Sequence, residues 1–317
     1  MIIAISVSFI LTVILGIVML PVLRQLKIGQ VVRDDGPKDH LKKAGTPTMG
    51  GIIFILPIIG CTLFFSWNNP QAVSACALIF LSSLVGFIDD YLKIKKKNKD
   101  GLKPLFKTIF FVTISLAYAI YIVYFSPIGS DIIVPFSNGI QSFVIPGWIY
   151  TAFIVLFYNA VINAVNFTDG VDGLCGSVTA VVFIFFAIIS KIIFDDTDMT
   201  YMSLIIVGAM IGYLIFNVHP AKMLMGDTGS LALGGAVTAI AINLQIPWIV
   251  LLIGIIYVIE ILSSVIQVMH YKRTKKRIFL MAPIHHHFEL KHWSENKIVI
   301  VFSGISIIGG ILALLII

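Results

Sequence analysis

Five aspartates and three histidines are the residues of this sequence best suited to phosphate or metal chemistry. Asp89 and Asp90 stand where an apolar run gives way to lysines. A carboxylate pair at the end of a membrane helix is costly without partners, so it is a functional-site hypothesis by default. Clustered histidines suit phosphate binding or general acid–base catalysis. The other candidates are Asp169, Asp172, Asp227, His285, His286 and His287.

Two of the acidic positions also have a structural interpretation. Asp89 lies one helical turn before Lys93, and a surface ion pair between them would contribute little stability. That pair would leave Asp90 without a partner, because neighbouring helical side chains point about 100° apart. Asp227 precedes an apolar helix and is followed by hydroxyl residues that could cap it. Helix N-terminal capping is therefore the alternative to a metal-binding carboxylate at this position.

Three asparagines form a polar stripe in an otherwise apolar segment. Asn159, Asn163 and Asn166 stand at positions i, i+4 and i+7, which is one face of a helix that belongs in lipid. Hydrogen bonding between helices is the structural interpretation of such a stripe, and a site near its end is the functional one.

A glycine-containing turn follows the asparagine stripe. Gly170 and Gly173 supply a backbone freedom that a membrane-spanning helix does not need, so they predict a tight turn. This turn places Asp169 and Asp172 on the same side of the membrane as Asp89 and Asp90. Their spacing does not match a calcium-binding EF-hand loop, which continues to an acidic residue at its twelfth position.

Three consecutive histidines lie in a native loop flanked by apolar residues. His285, His286 and His287 suit a clustered phosphate or general acid–base site better than a zinc helix, whose histidines are spaced i, i+4. In the apolar segment before them, Glu260 begins a polar helix face. An unpaired carboxyl group inside a bilayer is expensive, so this face is expected to line a cavity or meet another helix, with a structural role for Glu260.

The elements that carry these residues are predicted to be membrane helices. The chain is 58% hydrophobic and 12% charged, with a mean hydropathy of +1.01, far more apolar than a soluble globular protein. We expect an all-α polytopic membrane protein of one domain, residues 1–317, with about ten transmembrane helices. The predicted spans are residues 2–23, 50–67, 73–88, 108–125, 148–165, 177–194, 202–218, 231–244, 248–269 and 298–317.

The basic residues predict the orientation in the membrane. Apart from Lys191, every lysine and arginine falls in or beside the loops after the first, third, seventh and ninth segments. The positive-inside rule places these loops in the cytoplasm and both termini outside, so the acidic and histidine motifs meet at the cytoplasmic face. The net charge of +6 is then explained by loops and lipid head groups, and no nucleic-acid partner is expected.

Five motifs occur in order along essentially the whole chain. They are Gly36-Pro37 with His40 and Lys43-Ala44-Gly45-Thr46-Pro47-Thr48-Met49-Gly50-Gly51; Asp89-Asp90-Tyr91 with Lys93; Asn166-Phe167-Thr168-Asp169-Gly170-Val171-Asp172-Gly173-Leu174; Gly226-Asp227-Thr228-Gly229-Ser230; and Ala282-Pro283-Ile284-His285-His286-His287-Phe288-Glu289. Together they resemble the phospho-N-acetylmuramoyl-pentapeptide transferase (MraY translocase) family, within the polyprenyl-phosphate hexosamine-1-phosphate transferase superfamily. The aspartate motifs are common to the superfamily, whereas the first and last motifs distinguish this family from relatives that use other UDP-sugars.

The resemblance implies an Mg²⁺-dependent phospho-sugar transferase, multi-pass in the bacterial cell (inner/plasma) membrane. Such an enzyme transfers phospho-MurNAc-pentapeptide from UDP-MurNAc-pentapeptide to undecaprenyl phosphate, giving lipid I and UMP in the first membrane step of peptidoglycan synthesis. By motif matching, Asp227 would bind Mg²⁺ and Asp89 would be the candidate base, with Asp90 beside it. His286 would complete the catalytic set. Substrate binding would involve Lys43, Thr48, Lys93, Asn166, Asp169, Gly170, Asp172, Gly226, His285 and His287.

Two other functions are compatible with these residues. A UDP-GlcNAc:polyprenyl-phosphate GlcNAc-1-phosphate transferase would share the aspartate motifs. A transporter could use Glu260 and the asparagine stripe as a translocation path, although transporters usually place their decisive polar groups near the membrane midplane. A homodimer, direct attack by the lipid phosphate and a covalent Asp89 intermediate are all left open by the sequence.

Overall fold

The computed structural model describes residues 1–25, 45–96 and 101–317, and these residues form an all-α protein with one small antiparallel sheet. The strands are β1 (Asp131–Ile133) and β2 (Ser142–Val144). The helices are α1 (Ile2–Gln25), α2 (Ile52–Ser66), α3 (Pro70–Lys96), α4 (Pro104–Ile120), α5 (Gly147–Thr168), α6 (Leu174–Ile192), α7 (Thr197–Asn217), α8 (Gly226–Asn243), α9 (Val250–Ile253), α10 (Ile255–Thr274), α11 (Ile284–Leu290) and α12 (Glu295–Ile316).

Eight helices in the described part of the chain are long and apolar enough to cross a membrane. They are α1, α3, α4 with the π-helical turn Tyr121–Phe125 that continues it, α5, α6, α7, α10 and α12. The chain is therefore a multi-pass membrane protein, as its composition predicts.

The two remaining predicted spans, α2 and α8, are also helices but do not meet the same criteria. α2 has 15 residues, and α8 has 18 residues and begins with Gly-Asp-Thr-Gly-Ser. Every residue of α8 from Thr228 to Ile242 is buried, so its side chains face protein rather than lipid and can be small or polar. The total of ten crossings stays a prediction.

One end of the helix bundle collects the polar motifs. α3 and α5 end there and α8 begins there, whereas the two strands lie at the opposite end. Near the strands, the Ile133 N–H donates to the Gln245 carbonyl after α8 (2.9 Å), and the Phe136 N–H donates to the Ile316 carbonyl at the end of α12. α8 and α12 therefore run antiparallel to α3 and α5. The placement of the termini outside the cell stays a prediction from the charge distribution.

Close packing of α3 against α8 positions the first aspartate pair. A Cβ atom on Gly86 would lie 2.1 Å from the Asp227 carbonyl oxygen, so a larger residue could not occupy this contact. Asp89 and Asp90 follow one turn later on α3 and therefore stand beside the first turn of α8. Behind them, the hydroxyl groups of Ser82 and Tyr158 are hydrogen-bonded at 2.8 Å and join α3 to α5.

Candidate active site

Three carboxylates from α3 and α8 form a compact cluster at the polar end of the bundle. Asp89, Asp90 and Asp227 each offer an oxygen atom, and these atoms lie within 4.8 Å of one another. The side chains of Asp89 and Asp90 are 4% exposed, and that of Asp227 is 17% exposed. The three residues predicted to act on phosphate and metal are thus neighbours in space, while their roles stay predictions.

Asp90 is bonded to the N-terminus of α8. Its Oδ1 accepts from the Asp227 N–H (3.2 Å), and its Oδ2 accepts from the Thr228 N–H (2.9 Å) and hydroxyl (2.7 Å). These amides belong to the first turn of a helix and have no partner within it, so a carboxylate that accepts from them acts as a cap supplied by another helix. Asp90 therefore has several partners, unlike the unpaired residue that an Asp89–Lys93 pair would leave.

Asp89 forms the ion pair with Lys93 that their spacing predicts, but in a different setting. The Lys93 Nζ lies 2.5 Å from Asp89 Oδ2 and 3.2 Å from Asp227 Oδ2, so one ammonium group serves carboxylates of two helices. The other Asp89 oxygen accepts from the Leu102 N–H at 2.8 Å. The Asp89 carboxylate of the pair is buried, and Lys93 joins α3 to α8 through its second contact, so the pair is more than an isolated surface ion pair.

Lys107 is a member of the cluster that the sequence did not single out. Its Nζ lies 2.7 Å from Asp227 Oδ2, closer than the Nζ of Lys93. Burial opposes ionisation of Asp227, but the positive charges of Lys107 and Lys93 outweigh it and hold the pKa of this carboxyl well below its usual range. In the sequence, Lys107 was one of seven lysines between the third and fourth predicted spans, and nothing in their pattern distinguished it from the others.

Asn166 joins α5 to the same cluster. Its side-chain amide donates to Asp227 Oδ1 (3.1 Å) and to the Ser230 hydroxyl (2.8 Å). Asn159 and Asn163 instead donate to backbone carbonyls one turn earlier in α5. Of the polar stripe, Asn166 alone shows a bond to another helix in the described contacts, and it does so at the carboxylate cluster.

The segment before α2 closes one side of the cluster. The Gly50 N–H donates to the Leu224 carbonyl (2.9 Å), which holds this segment beside the start of α8. Gly226 has a φ of +68°, and a Cβ atom there would lie 2.5 Å from Asp90 Oδ2 and 2.8 Å from the Thr48 hydroxyl. Thr48 and Gly226 thus border the carboxylates, whereas Lys43 lies outside the described residues.

Asp172 belongs to a second cluster, distinct from the three carboxylates. Its Oδ2 accepts from the Ala221 N–H (3.0 Å) and lies 3.1 Å from His219 Nδ1. Its own N–H donates to Glu295 Oε2 (2.8 Å), and Glu295 Oε1 lies 3.3 Å from the same His219 nitrogen. This cluster connects the α5–α6 turn, the α7–α8 connection and the start of α12.

The turn after α5 meets the histidine segment. Asp169 is half-buried at the C-terminal end of α5, where its N–H donates to the Asn166 carbonyl (3.2 Å). A Cβ atom on Gly170 would lie 2.1 Å from His285 Nε2. The absence of a side chain at Gly170 therefore allows this contact between two of the predicted motifs.

His285 and His286 pair with different carboxylates, although their rings are in contact, with centroids 4.1 Å apart. His285 Nδ1 lies 3.0 Å from Glu260 Oε2, and His286 Nδ1 lies 2.6 Å from Glu289 Oε2 within α11. Successive helical side chains diverge, so neighbours in sequence here face different partners. The structural role expected for Glu260 is thus accompanied by a contact with a predicted site residue.

His287 points away from the other two histidines. Its Nδ1 accepts from the Leu280 N–H at 3.1 Å, which requires that this nitrogen carry no proton. Burial and the nearby Lys291 lower the pKa of His287. Its described contacts fold the loop between α10 and α11 and do not include the carboxylate cluster.

The chemistry of the donors in the carboxylate cluster fits a hard divalent cation. Mg²⁺ prefers oxygen ligands and is commonly bound by one or two carboxylates together with substrate phosphates. Among the described residues, two other groups could hold a metal, and both include histidine: His285, His286 and Glu289, and Asp172, His219 and Glu295. The all-carboxylate group is the one that suits Mg²⁺ best, and Asp227 is its most exposed member.

Comparison with known proteins relates this site to a family. Residues 72–245 match the description Glycosyl transferase family 4, and residues 43–55 match phospho-N-acetylmuramoyl-pentapeptide-transferase signature 1. Proteins named phospho-N-acetylmuramoyl-pentapeptide-transferase are similar over nearly their whole length. The protein from Acetivibrio thermocellus is 46% identical over 95% of this chain and 90% of its own. Those from Clostridium acetobutylicum and Clostridium perfringens are 44% and 48% identical over 98% and 96% of this chain and 97% and 95% of their own.

Proposed function

The chain belongs to the phospho-N-acetylmuramoyl-pentapeptide-transferase family, and we propose that it transfers phospho-MurNAc-pentapeptide from UDP-MurNAc-pentapeptide to undecaprenyl phosphate. The products are lipid I and UMP, and the reaction takes place at the cytoplasmic face of a bacterial cell membrane. The observation that carries this proposal is the convergence of three carboxylates, two lysines and Asn166 where α3, α4, α5 and α8 meet.

The reaction first has to overcome charge repulsion. An oxygen of the lipid phosphate attacks the phosphorus bonded to the sugar, and the bond from that phosphorus to the leaving UMP breaks. Two phosphate charges about 4 Å apart repel by about 4 kcal/mol at an effective dielectric constant near 20. Phosphoryl transfer is catalysed mainly by positioning and charge neutralisation, so the cationic groups of the site are its principal requirement.

Asp227 is the residue that would hold Mg²⁺. The ion would screen the diphosphate charge and polarise its oxygens when bound. Asp227 suits this task because it is ionised and lies at the edge of the cluster, with a side chain 17% exposed. Asp90 would support it from behind, since its oxygens accept from the first turn of α8 and fix the backbone that carries Asp227.

Lys93 and Lys107 would bind the substrate phosphates. Both ammonium groups now contact Asp227 Oδ2, at 3.2 and 2.7 Å, and a phosphate would offer them an alternative anionic partner. Asn166 would keep Asp227 in place through its bond to Oδ1. The donor's nucleoside and sugar would extend towards Thr48, Asp169, Gly170 and Asp172, bordered by Gly226, His285 and His286.

Asp89 would act on the incoming lipid phosphate. It can accept the proton of a monoprotonated phosphate. Alternatively, its carboxylate can attack the phosphorus bonded to the sugar and release UMP, after which the lipid phosphate attacks the same phosphorus and frees Asp89. The two routes differ in one observable. Incubating the protein with labelled donor and no lipid would leave label on the protein only if the covalent route operates, and an unlabelled protein with full activity would support direct attack.

The overall function is tested by reconstitution. Purified protein in detergent or proteoliposomes is expected to form lipid I and UMP from UDP-MurNAc-pentapeptide and undecaprenyl phosphate, with Mg²⁺ required. A mixture of UDP-MurNAc-pentapeptide and UDP-GlcNAc serves as the specificity control. Preference for UDP-GlcNAc would reject the muramoyl donor while keeping the chemistry, and no UMP release from either donor would reject the proposal.

A further inference from the structure

Glu260 lies on the inward stripe of a helix that is otherwise mostly exposed. Ile256, Tyr257 and Ser263 are the other buried residues of α10, whereas residues such as Val268 and Met269 are exposed. Glu260 itself is completely buried, and the His285 side chain next to it is 1% exposed. A carboxyl group and an imidazole are therefore enclosed together where the bundle meets α11.

The imidazole ring connects Glu260 to the turn after α5. Its Nδ1 lies 3.0 Å from Glu260 Oε2, whereas its Nε2 is buried without a hydrogen-bond partner among the described residues. A Cβ atom on Gly170 would lie 2.1 Å from that same Nε2. The free nitrogen thus faces the Asp169–Gly170 segment, on the opposite side of the ring from the carboxylate.

The contact with Glu260 can select which ring nitrogen is available. A carboxylate in its ionised form only accepts hydrogen bonds, so an ionised Glu260 takes its bond from His285 Nδ1–H. In the neutral ring Nε2 then carries a lone pair and can accept from a hydroxyl or amide of a ligand. A carboxylate that fixes the tautomer and orientation of a histidine in this way acts through that histidine and need not touch the ligand.

We propose that Glu260 is a positioning residue that holds His285 in the Nδ1–H form, so that Nε2 is presented to a hydrogen-bond donor of the sugar-phosphate substrate at the Asp169–Gly170 turn. This rests on the proposed function for the identity of the ligand, but the tautomer itself does not depend on it. The competing interpretation is that the pair only fastens α11 to α10.

The tautomer is measured directly by nuclear magnetic resonance of protein labelled with ¹⁵N-histidine. The ring signals of His285 are assigned by their loss in His285→Ala. We expect a protonated Nδ1 and an unprotonated Nε2 in the wild type, and a shift of the proton towards Nε2 in Glu260→Leu, which offers no acceptor. A wild-type ring protonated at Nε2 alone would overturn the proposal whatever the enzymatic results.

The kinetic test compares Glu260→Gln, Glu260→Leu and His285→Ala. Glutamine keeps an acceptor oxygen at nearly the same volume, so Glu260→Gln should retain most of the kcat/KM for the donor. Leucine has no acceptor, so kcat/KM in Glu260→Leu should fall about tenfold or more, the effect of losing about 1.4 kcal/mol of transition-state stabilisation. In a double-mutant cycle, adding Glu260→Leu to His285→Ala should cost nothing further, because the first acts through the second. Additive losses would overturn the positioning role.

Gln267 offers a matched control on the same helix. Its side chain holds the same loop by bonding the backbone of Ile278 and Phe279 (3.0 and 3.1 Å) and has no described contact with His285. Gln267→Ala should lower the melting temperature while leaving the His285 ring signals and the donor KM unchanged. If Gln267→Ala shifts those signals as strongly as Glu260→Leu does, the Glu260–His285 contact only attaches α11 to α10 and the proposal fails.

If the enzyme proves inactive with every donor while the tautomer result holds, the proposed function fails and the Glu260–His285 assignment stands.

Discussion

The Asp89–Asp90–Asp227 cluster and the Asp172–His219–Glu295 cluster both join carboxylates from separate elements, but the described contacts of their carboxylates differ. In the second cluster, backbone amides of Ala221 and Asp172 donate to the carboxylates. In the first, the ammonium groups of Lys93 and Lys107 share one oxygen of Asp227. Backbone donors are fixed by the fold, whereas lysine side chains can exchange a carboxylate for a phosphate.

Asp90 shows that carboxylates bonded by backbone amides and carboxylates paired with lysines can stand in one cluster. It neighbours Asp89 in sequence, but its oxygens accept from α8 amides in the manner of the second cluster. The lesson is that proximity of carboxylates does not identify a cation site by itself. A cation site is instead indicated by carboxylate charge that backbone donors do not satisfy. In the first cluster that charge lies on Asp89 and Asp227.

The largest expected effect is that of Asp227→Asn. The amide keeps the size of the side chain but removes the charge that Lys93 and Lys107 face, so kcat should fall at least about 100-fold, as when one preorganised electrostatic contact to a transition state is lost. Lipid I formation measured against Mg²⁺ concentration checks this. A rate within threefold of wild type would remove Asp227 from the metal site and erase the contrast between the clusters.

A smaller loss is expected for Lys107→Met. Removal of one charge-assisted bond to a substrate phosphate, worth about 1.5–3 kcal/mol, corresponds to a fall in kcat/KM of about 10- to 100-fold. Lys103→Met, an exposed position just before α4, is the matched control and should retain the wild-type rate. Equal losses in both variants would mean that general positive charge, and not the contact with Asp227, is what matters.

His219→Ala tests the second cluster and should change stability more than rate. It removes the imidazole between Asp172 and Glu295, and a loss of about 1 kcal/mol in the free energy of unfolding is expected for one hydrogen bond. The melting temperature in detergent measures this, and the kcat of the folded protein should stay within about threefold of wild type because rate differences that small represent under 1 kcal/mol. A large fall in kcat with an unchanged melting temperature would reverse the roles of the two clusters.

The smallest effect should come from His287 and depend on pH. Because its pKa is lowered in the folded protein, the unfolded chain binds more protons between the folded value and about 6.5, and stability must decrease as pH falls through that window. Protonation of Nδ1 would also break its bond with the Leu280 N–H. Melting temperatures from pH 7.5 to 5.5 should therefore fall less in His287→Asn than in wild type. Parallel curves would contradict this.

Several features followed from local sequence. The multi-pass helical architecture was predictable because hydropathy is summed over consecutive residues, and all ten apolar segments contain helices. The Asp89–Lys93 pair was predictable because residues four apart face each other on a helix. α8 was the weakest of the predicted spans, because a helix surrounded by protein is not required to be apolar.

Other features depended on residues far apart in the chain. Asp90 bonds Thr228 across 138 positions, and Lys107 meets Asp227 across 120, so no local pattern could select these partners. Of the three adjacent histidines, His285 and His286 have rings in contact, whereas His287 accepts from the Leu280 N–H, and no local pattern distinguished His287 from the other two.

By itself, the sequence determined that this is a membrane-embedded transferase family member with its acidic motifs at helix ends, since composition and motif order are properties of consecutive residues. Tertiary structure alone decided which carboxylates are occupied by fixed backbone donors and which face exchangeable lysines. It also decided that Glu260 meets His285. Those outcomes depend on how closely α3, α8 and α10 approach their neighbours, and helix packing is set by side chains of several segments at once.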